Sequence, residues 1–136
     1  MFWEGSSCIC LHKGKLLMVL QGKQEEEKRW SIPSGGIEAN ETPEDCCVRE
    51  VWEETGYVVK IKEKLHIKDG LSFGYHVKVH YFLAEIVSGS PTVQDPDGLI
   101  YDIRWVSLEE LDQLPLSFPE DRSVLRHFLS SASRIM

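Results

Sequence analysis

No run of about eighteen consecutive apolar residues occurs anywhere in the chain, so no membrane span is expected. Basic charge is also in deficit: 15 Lys and Arg stand against 22 Asp and Glu, a formal net charge of -7. A nonspecific nucleic-acid binder is normally basic, so no stable nucleic-acid complex is expected. A phosphorylated small molecule is not excluded, because bound metal inverts the local sign of an acidic site. Cysteine is sparse. Cys8, Cys10, Cys46 and Cys47 form neither a zinc pattern nor a disulfide framework. They read as buried reduced thiols acting as small hydrophobes. The opening residues, MFWEGSS, lack the basic start and following apolar region of a signal peptide, and the expected compartment is the cytoplasm. No internal repeat is present. What remains is an ordinary soluble composition, 42% hydrophobic and 27% charged over 136 residues, enough for one domain (1–136) with a proper core.

Ser6–Leu11 and Leu16–Gln21 are apolar, β-prone runs joined by His12-Lys13-Gly14-Lys15, the pattern of a hairpin. Gly22–Arg29 is polar and reads as an exposed loop, with phosphate contacts from Lys23, Lys28 and Arg29 as the alternative. Tyr57–Ile67 reads as a strand and Lys68–Ser72 as a turn around Asp69-Gly70. Phe73–Ile86 alternates, with Phe73, Tyr75, Val77, Val79, Tyr81 and Leu83 on one face and Gly74, His76, Lys78 and His80 on a polar face. That polar face is expected to be solvated or to line a groove. Ser88–Ile100 is loop-rich and carries Asp95 and Asp97, acids that could approach a site from across a cleft. Tyr101–Val106 closes as a strand, Ser107 caps a short helix over Leu108–Leu111, and an amphipathic helix follows from about Pro119 to Ser131. The element order is that of an α+β domain.

The chemistry concentrates in Gly35–Tyr57, GGIEANETPEDCCVREVWEETGY. Thr42 is a good N-cap, Pro43 suits the first helical position, and Glu44 and Asp45 complement the helix dipole in the first turn. Gly56 is a natural stop. A helix is therefore predicted over Pro43–Thr55. At about 100° per residue, Glu50, Glu53 and Glu54 share one face, while Val48 and Trp52 point the other way, toward the core, with Val51 on the flank. Cys46 falls between Glu50 and Glu53, where a small side chain could pack under the preceding loop. Three like charges on one helical face repel. The plain reading is a solvated acidic face; the sharper one is a hard divalent cation, which takes oxygen ligands and relieves the repulsion.

Five residues separate Gly35 from Glu41 and seven more separate Glu41 from Arg49-Glu50; Val51, Glu53-Glu54, Gly56 and Tyr57 follow. This spacing resembles the Nudix box, Gly-x5-Glu-x7-Arg-Glu-(apolar)-x-Glu-Glu-x-Gly-(apolar), at every defined position. The resemblance implies an α/β/α sandwich with a mixed sheet. It implies a hydrolase that cleaves a pyrophosphate linkage in nucleoside diphosphate derivatives with Mg2+, Mn2+ being an alternative. The metal ligands it implies are Glu50, Glu53, Glu54 and the carbonyl of Ser34; the catalytic group comprises Glu53, Glu50, Arg49 and Glu41, with Glu38 as a weaker addition. Arg49 is expected to pair with a box carboxylate and fix its rotamer.

Two positions depart from the usual Nudix pattern. Ser34 stands where a glycine is common, and Asn40 precedes the first glutamate where a glycine often does. Asparagine visits left-handed geometry readily, and a carbonyl ligand at Ser34 does not depend on its side chain. Neither change removes a carboxylate. The expected substrate is a small nucleotide, foremost a nucleoside triphosphate cleaved in housecleaning. ADP-ribose or a nucleotide sugar, an RNA 5′ end, and a non-catalytic nucleotide-binding module are the alternatives. Trp3, Phe73 and Tyr75 are candidates to stack on a base, with a place in the core as the equal alternative. A homodimer is left open.

Overall fold

The computed structural model describes residues 2–72 and 74–135; Phe73 lies outside the described residues. The elements in order are β1 (Phe2–His12), β2 (Lys15–Gln21), β3 (Arg29–Ser31), β4 (Ser34–Gly36), α1 (Pro43–Thr55), β5 (Tyr57–Ser72), β6 (Tyr75–Gly89), β7 (Ile100–Val106), α2 (Leu108–Gln113), a 3-10 turn (Pro119–Asp121) and α3 (Arg122–Ile135). The first hairpin turns on Lys13 and Gly14, both left-handed at φ 51° and 75°, the geometry whose twist matches the flanking strands.

β1 is the strand on which the site depends. On one side it pairs in parallel with β6, from Phe2↔His76 to Cys10↔Ala84. On the other it meets β2 only at Leu11↔Leu16 and His12↔Lys15 before the two splay apart. The wedge is filled by two short strands: β4 on β1 (Gly5↔Gly36, Ser6↔Gly35, Ser7↔Ser34) and β3 on β2. β7 pairs with the far side of β2, and β5 is antiparallel to β6. The sheet is thus mixed, as expected.

Strand alternation gives the sheet two apolar faces. Cys8, Cys10, Leu17, Val59, Phe82 and Ala84 pack with Cys47 and Val51 of α1. Ile9, Leu16, Met18, Val79 and Tyr81 pack with Leu111, Leu125 and Leu129 of α2 and α3. This is an α/β/α sandwich. All four cysteines are free and buried, and Cys8 and Cys10 do share a face. Burial pushes the Cys10 thiol up to about 12, as fits an inert core thiol.

Helix α1 has the predicted bounds. Thr42 Oγ1 accepts from Asp45 N and the Asp45 carboxylate accepts from Thr42 N, a complete capping box. Gly56 ends the helix at φ 78°. The core stripe differs from the expectation: Cys47 and Val51 lie fully against the sheet, Val48 flanks them, and Trp52 is 43% exposed. Two small thiols let the helix sit close on Val51, and Trp52, a further 100° or so around, points past the sheet.

The second hairpin also differs. β5 continues through Asp69 and Gly70, which pair with Lys78 and Val77, and the turn falls after Ser72. The polar face of β6 is not uniformly solvated: His80 is 4% exposed. Its ladder neighbour Ser6 donates from Oγ to the Pro43 carbonyl at 2.7 Å, which places the start of α1 over this part of the sheet.

Candidate active site

The site forms where β4 meets the acidic face of α1. β4 is extended, and neither Ser34 nor its glycines have positive φ, so Ser34 stands there without strain. Gly35 is needed for space: a Cβ would lie 2.2 Å from the Glu50 carboxylate. Asn40 does take the left-handed geometry, at φ 67°. Gly35 O accepts from Cys46 Sγ at 3.4 Å, so the small residue packs under the loop as expected.

Arg49 ties the acids together. Its Nε and Nη2 hold Glu41 in a fork at 2.5 and 3.0 Å, and Nη1 donates to Glu50 at 2.6 Å and to Glu53 at 3.2 Å. Nη2 also donates to the Gly36 carbonyl at 2.9 Å, anchoring β4 to the helix. Glu38 stands further off, at 3.5 Å from Nη1. The Glu41 carboxylate also accepts from Glu38 N at 2.9 Å. The bond from Arg49 holds the Glu41 carboxyl below the usual carboxylate range.

Glu54 is the acid turned inward, 6% exposed, accepting from Ser34 N at 3.2 Å. Burial, and then the neighbouring Glu50 charge, push its carboxyl well above the ordinary value. Burial raises Glu50 as well, against the pull of Arg49. Two carboxylates that resist joint ionisation at one half-buried point are a poor arrangement unless something cationic shares them. The donors are oxygen throughout, which suits a hard divalent ion. Among the described residues no three His, Cys, Asp or Glu side chains converge into a closed cage. An ion here would therefore find an open acidic face, not a closed cage, and keep much of its water, as Mg2+ does.

The distal acids behave differently from each other. Asp95 accepts from the Leu99, Ile100 and Asp97 amides at 2.6, 3.2 and 3.2 Å, organising its own loop, and its charge reaches Glu54. Asp97 is exposed. The same loop covers the end of α1, with Gln94 N donating to Glu53 O and Thr92 N to Thr55 O, both at 2.8 Å. Lys28 closes the β2–β3 loop by donating to the carbonyls of Gln24 and Glu26 at 3.3 and 2.8 Å. Arg29 lies 3.6 Å from Glu27. His76 pairs with Asp69 outside the acid cluster.

Beside Ser34 opens a cavity of about 260 Å3 whose walls include Trp3, Val77, Val79, Tyr81, Phe118 and Asp121. Asp121, 8% exposed, accepts from Tyr81 Oη at 2.8 Å and lies 3.4 Å from Lys68 Nζ. Burial, with the Asp121 charge, pushes the Tyr81 phenol up. Of the aromatic candidates, Trp3 lines this cavity, while Tyr75 is 43% exposed and does not. Sequence reasoning missed Asp121 and Lys68. They lie 53 positions apart, and no local pattern joins them.

The NUDIX domain model matches residues 3–128. The chain belongs to the NUDIX family of hydrolases. It is 35% identical over 129 residues to the NAD-capped RNA hydrolase NudC of Pseudomonas aeruginosa, covering 91% of this chain and 42% of that protein. It is 32% identical over 111 residues to the phosphatase NudJ of Escherichia coli, covering 79% of this chain and 69% of that protein. A NUDIX hydrolase from Nitrosomonas europaea shares the fold at a TM-score of 0.81 and 20% identity, over 99% of this chain and 90% of that one. Among curated relatives of this kind the chain spans from 26% to 69% of the relative's length. No described helix is long and apolar enough to cross a membrane.

Proposed function

We propose that this chain hydrolyses a phosphoric anhydride bond in a nucleoside diphosphate derivative, with a divalent cation held by Glu50, Glu53 and Glu54 and by the Ser34 carbonyl. The observation that carries the reading is the buried Glu54 carboxylate facing Glu50 beneath β4, with Arg49 spanning Glu41, Glu50 and Glu53. Mg2+ suits the small number of side-chain ligands, and Mn2+ suits the same oxygen set. When bound, the cation neutralises anhydride oxygens and lowers the pKa of an attacking water. Glu53, the more exposed of the two at 20% against 13% for Glu50, would either complete the ligand set of the cation or take a proton from water in this reading. Arg49 fixes the carboxylate rotamers, and Glu41 holds Arg49 through its fork.

The cavity beside Ser34 accepts the nucleoside in this reading, with Trp3 and Phe118 offering aromatic surface and Asp121 a hydrogen-bond acceptor. A cavity of about 260 Å3 has room for one nucleoside, which suits a small nucleotide, and a nucleoside triphosphate is the foremost candidate. A curated relative from Bacillus subtilis, 25% identical over 107 residues, is a putative 8-oxo-dGTP diphosphatase, which favours the same class. The test is chromatographic detection of the cleaved nucleotide and its co-product (pyrophosphate, phosphate or sugar phosphate) from nucleoside triphosphates, dinucleoside polyphosphates, ADP-ribose, nucleotide sugars and 5′-capped or triphosphorylated RNA. Each is run with Mg2+, with Mn2+ and with a chelator. Metal-dependent turnover greatest on triphosphates is expected. Nucleotide binding by folded protein without turnover on any of them would support a binding module instead.

A further inference from the structure

We infer that His80 is a positioning residue for the catalytic loop, acting through Glu4. His80 Nε2 meets the Glu4 carboxylate at 2.6 Å, from a ring that is 4% exposed. The Glu4 backbone in turn holds the segment leaving β4, its carbonyl accepting from Ile37 N at 2.9 Å. The next residue, Gly5, pairs with Gly36, whose carbonyl receives Arg49. β4 itself is three residues long and supplies the Ser34 amide that holds Glu54. One side-chain contact therefore reinforces, at the Glu4 end of β1, the ladder that carries both the Arg49 anchor and the Glu54 anchor.

Stability alone does not call for histidine at this position. Among the described residues its Nδ1 is buried without a hydrogen-bond partner, and an orphaned buried polar atom is unfavourable compared with an apolar side chain of similar size. The Glu4 carboxylate is partly exposed and can turn to water when the ring is removed. What the ring supplies is a directed donor that keeps Glu4 against β6. Neither Glu4 nor His80 touches Glu41, Glu50, Glu53, Glu54 or Arg49 through any described hydrogen bond, so the influence runs through backbone.

The inference rests on the catalytic reading above for its kinetic readout and is independent of it for its structural one. The full chain is prepared as wild type, His80→Leu and His80→Gln, the glutamine retaining an N–H donor for Glu4. Expected for His80→Leu is an unchanged or higher melting temperature, faster amide exchange at Ile37 and Gly35, and a fall in kcat of about tenfold, the usual scale for loss of a supporting contact. KM for nucleotide should stay within about twofold, because uniform binding is untouched. His80→Gln should restore both exchange protection and kcat. Unaltered Ile37 and Gly35 exchange in His80→Leu would overturn the inference whether or not wild type turns over. So would a fall in melting temperature that tracks the kinetic loss and is not rescued by glutamine. If wild type itself is inactive on every substrate, the functional proposal fails and the exchange measurement still decides this one.

Discussion

Replacing Gly35 by Ala separates the chemistry of the site from the stability of the fold. The added Cβ would lie 2.2 Å from Glu50 Cδ and Oε2, where ordinary contact begins at 3.4 Å, so the carboxylate must retreat by about 1.2 Å (3.4 less 2.2). It can do so, because it is the end of a flexible side chain. The retreat breaks its 2.6 Å bond to Arg49 and moves a proposed metal ligand. Misplacing a reacting group by about 1 Å costs on the order of 100-fold in rate. The stability terms partly cancel: alanine at an extended position gains about 0.4–1 kcal/mol through the unfolded state. The lost Arg49–Glu50 bond, with Arg49 still held by Glu41 and Glu53, costs about 1–2 kcal/mol. Thermal melts followed by circular dichroism should therefore agree within about 5 °C, while kcat falls on the order of 100-fold at saturating metal. Gly56→Ala is the contrasting case. Its Cβ meets the Ser90 carbonyl at 2.4 Å with φ at +78°, and backbone cannot step aside, so that variant loses stability. Wild-type kcat in Gly35→Ala, or a melt that drops as far as that of Gly56→Ala, would refute the reasoning.

The remaining predictions concern charge and substrate. Glu54 and Glu50 have carboxyls raised in the folded state, so their contribution to stability is full below the unfolded carboxylate pKa and is lost as pH rises through the raised folded values. Metal-free protein should therefore melt higher at pH 5.5 than at pH 8, about one unit above and well beyond the unfolded carboxylate value. Glu54→Gln should melt above wild type at pH 8 in chelator and show a flatter profile. Glu41 works in the opposite direction: its lowered carboxyl stabilises above the unfolded value and that contribution is lost as pH falls through the lowered one, so Glu41→Gln should destabilise at neutral pH. Asp121→Asn should raise the nucleotide KM on the order of tenfold, the scale of one lost charge-assisted hydrogen bond, with a smaller change in kcat. Steady-state kinetics across several bases checks this.

How far the residues alone reach depends on whether their partners are local. The capping box, the helix from Pro43 to Thr55 and the Gly56 stop are encoded within a few positions and appear with the expected bounds. The convergence of Glu41, Glu50 and Glu53 on Arg49 follows from helical spacing plus one loop. Asp69-Gly70 looked like a turn because that dipeptide favours one. In the fold Gly70 sits in a ladder opposite Val77, with open space where its side chain would be. Strand bulges between Val58 and Val59, Ile61 and Glu63, and Lys64 and His66 alter which β5 residues face the core, and no alternation count anticipates them. The wheel placed Trp52 opposite the acids but could not tell that Cys47 and Val51 would claim the sheet. The contact of His80 with Glu4 joins residues 76 positions apart, and no local pattern announces it.

The most direct test of the central claim is a Mn2+ titration followed by electron paramagnetic resonance, on wild type and on Glu54→Gln, with turnover measured on the same samples. The account predicts tightly bound Mn2+ and metal-dependent turnover in wild type, and loss of both in a Glu54→Gln protein that remains folded. Undiminished Mn2+ binding and turnover in Glu54→Gln would contradict it.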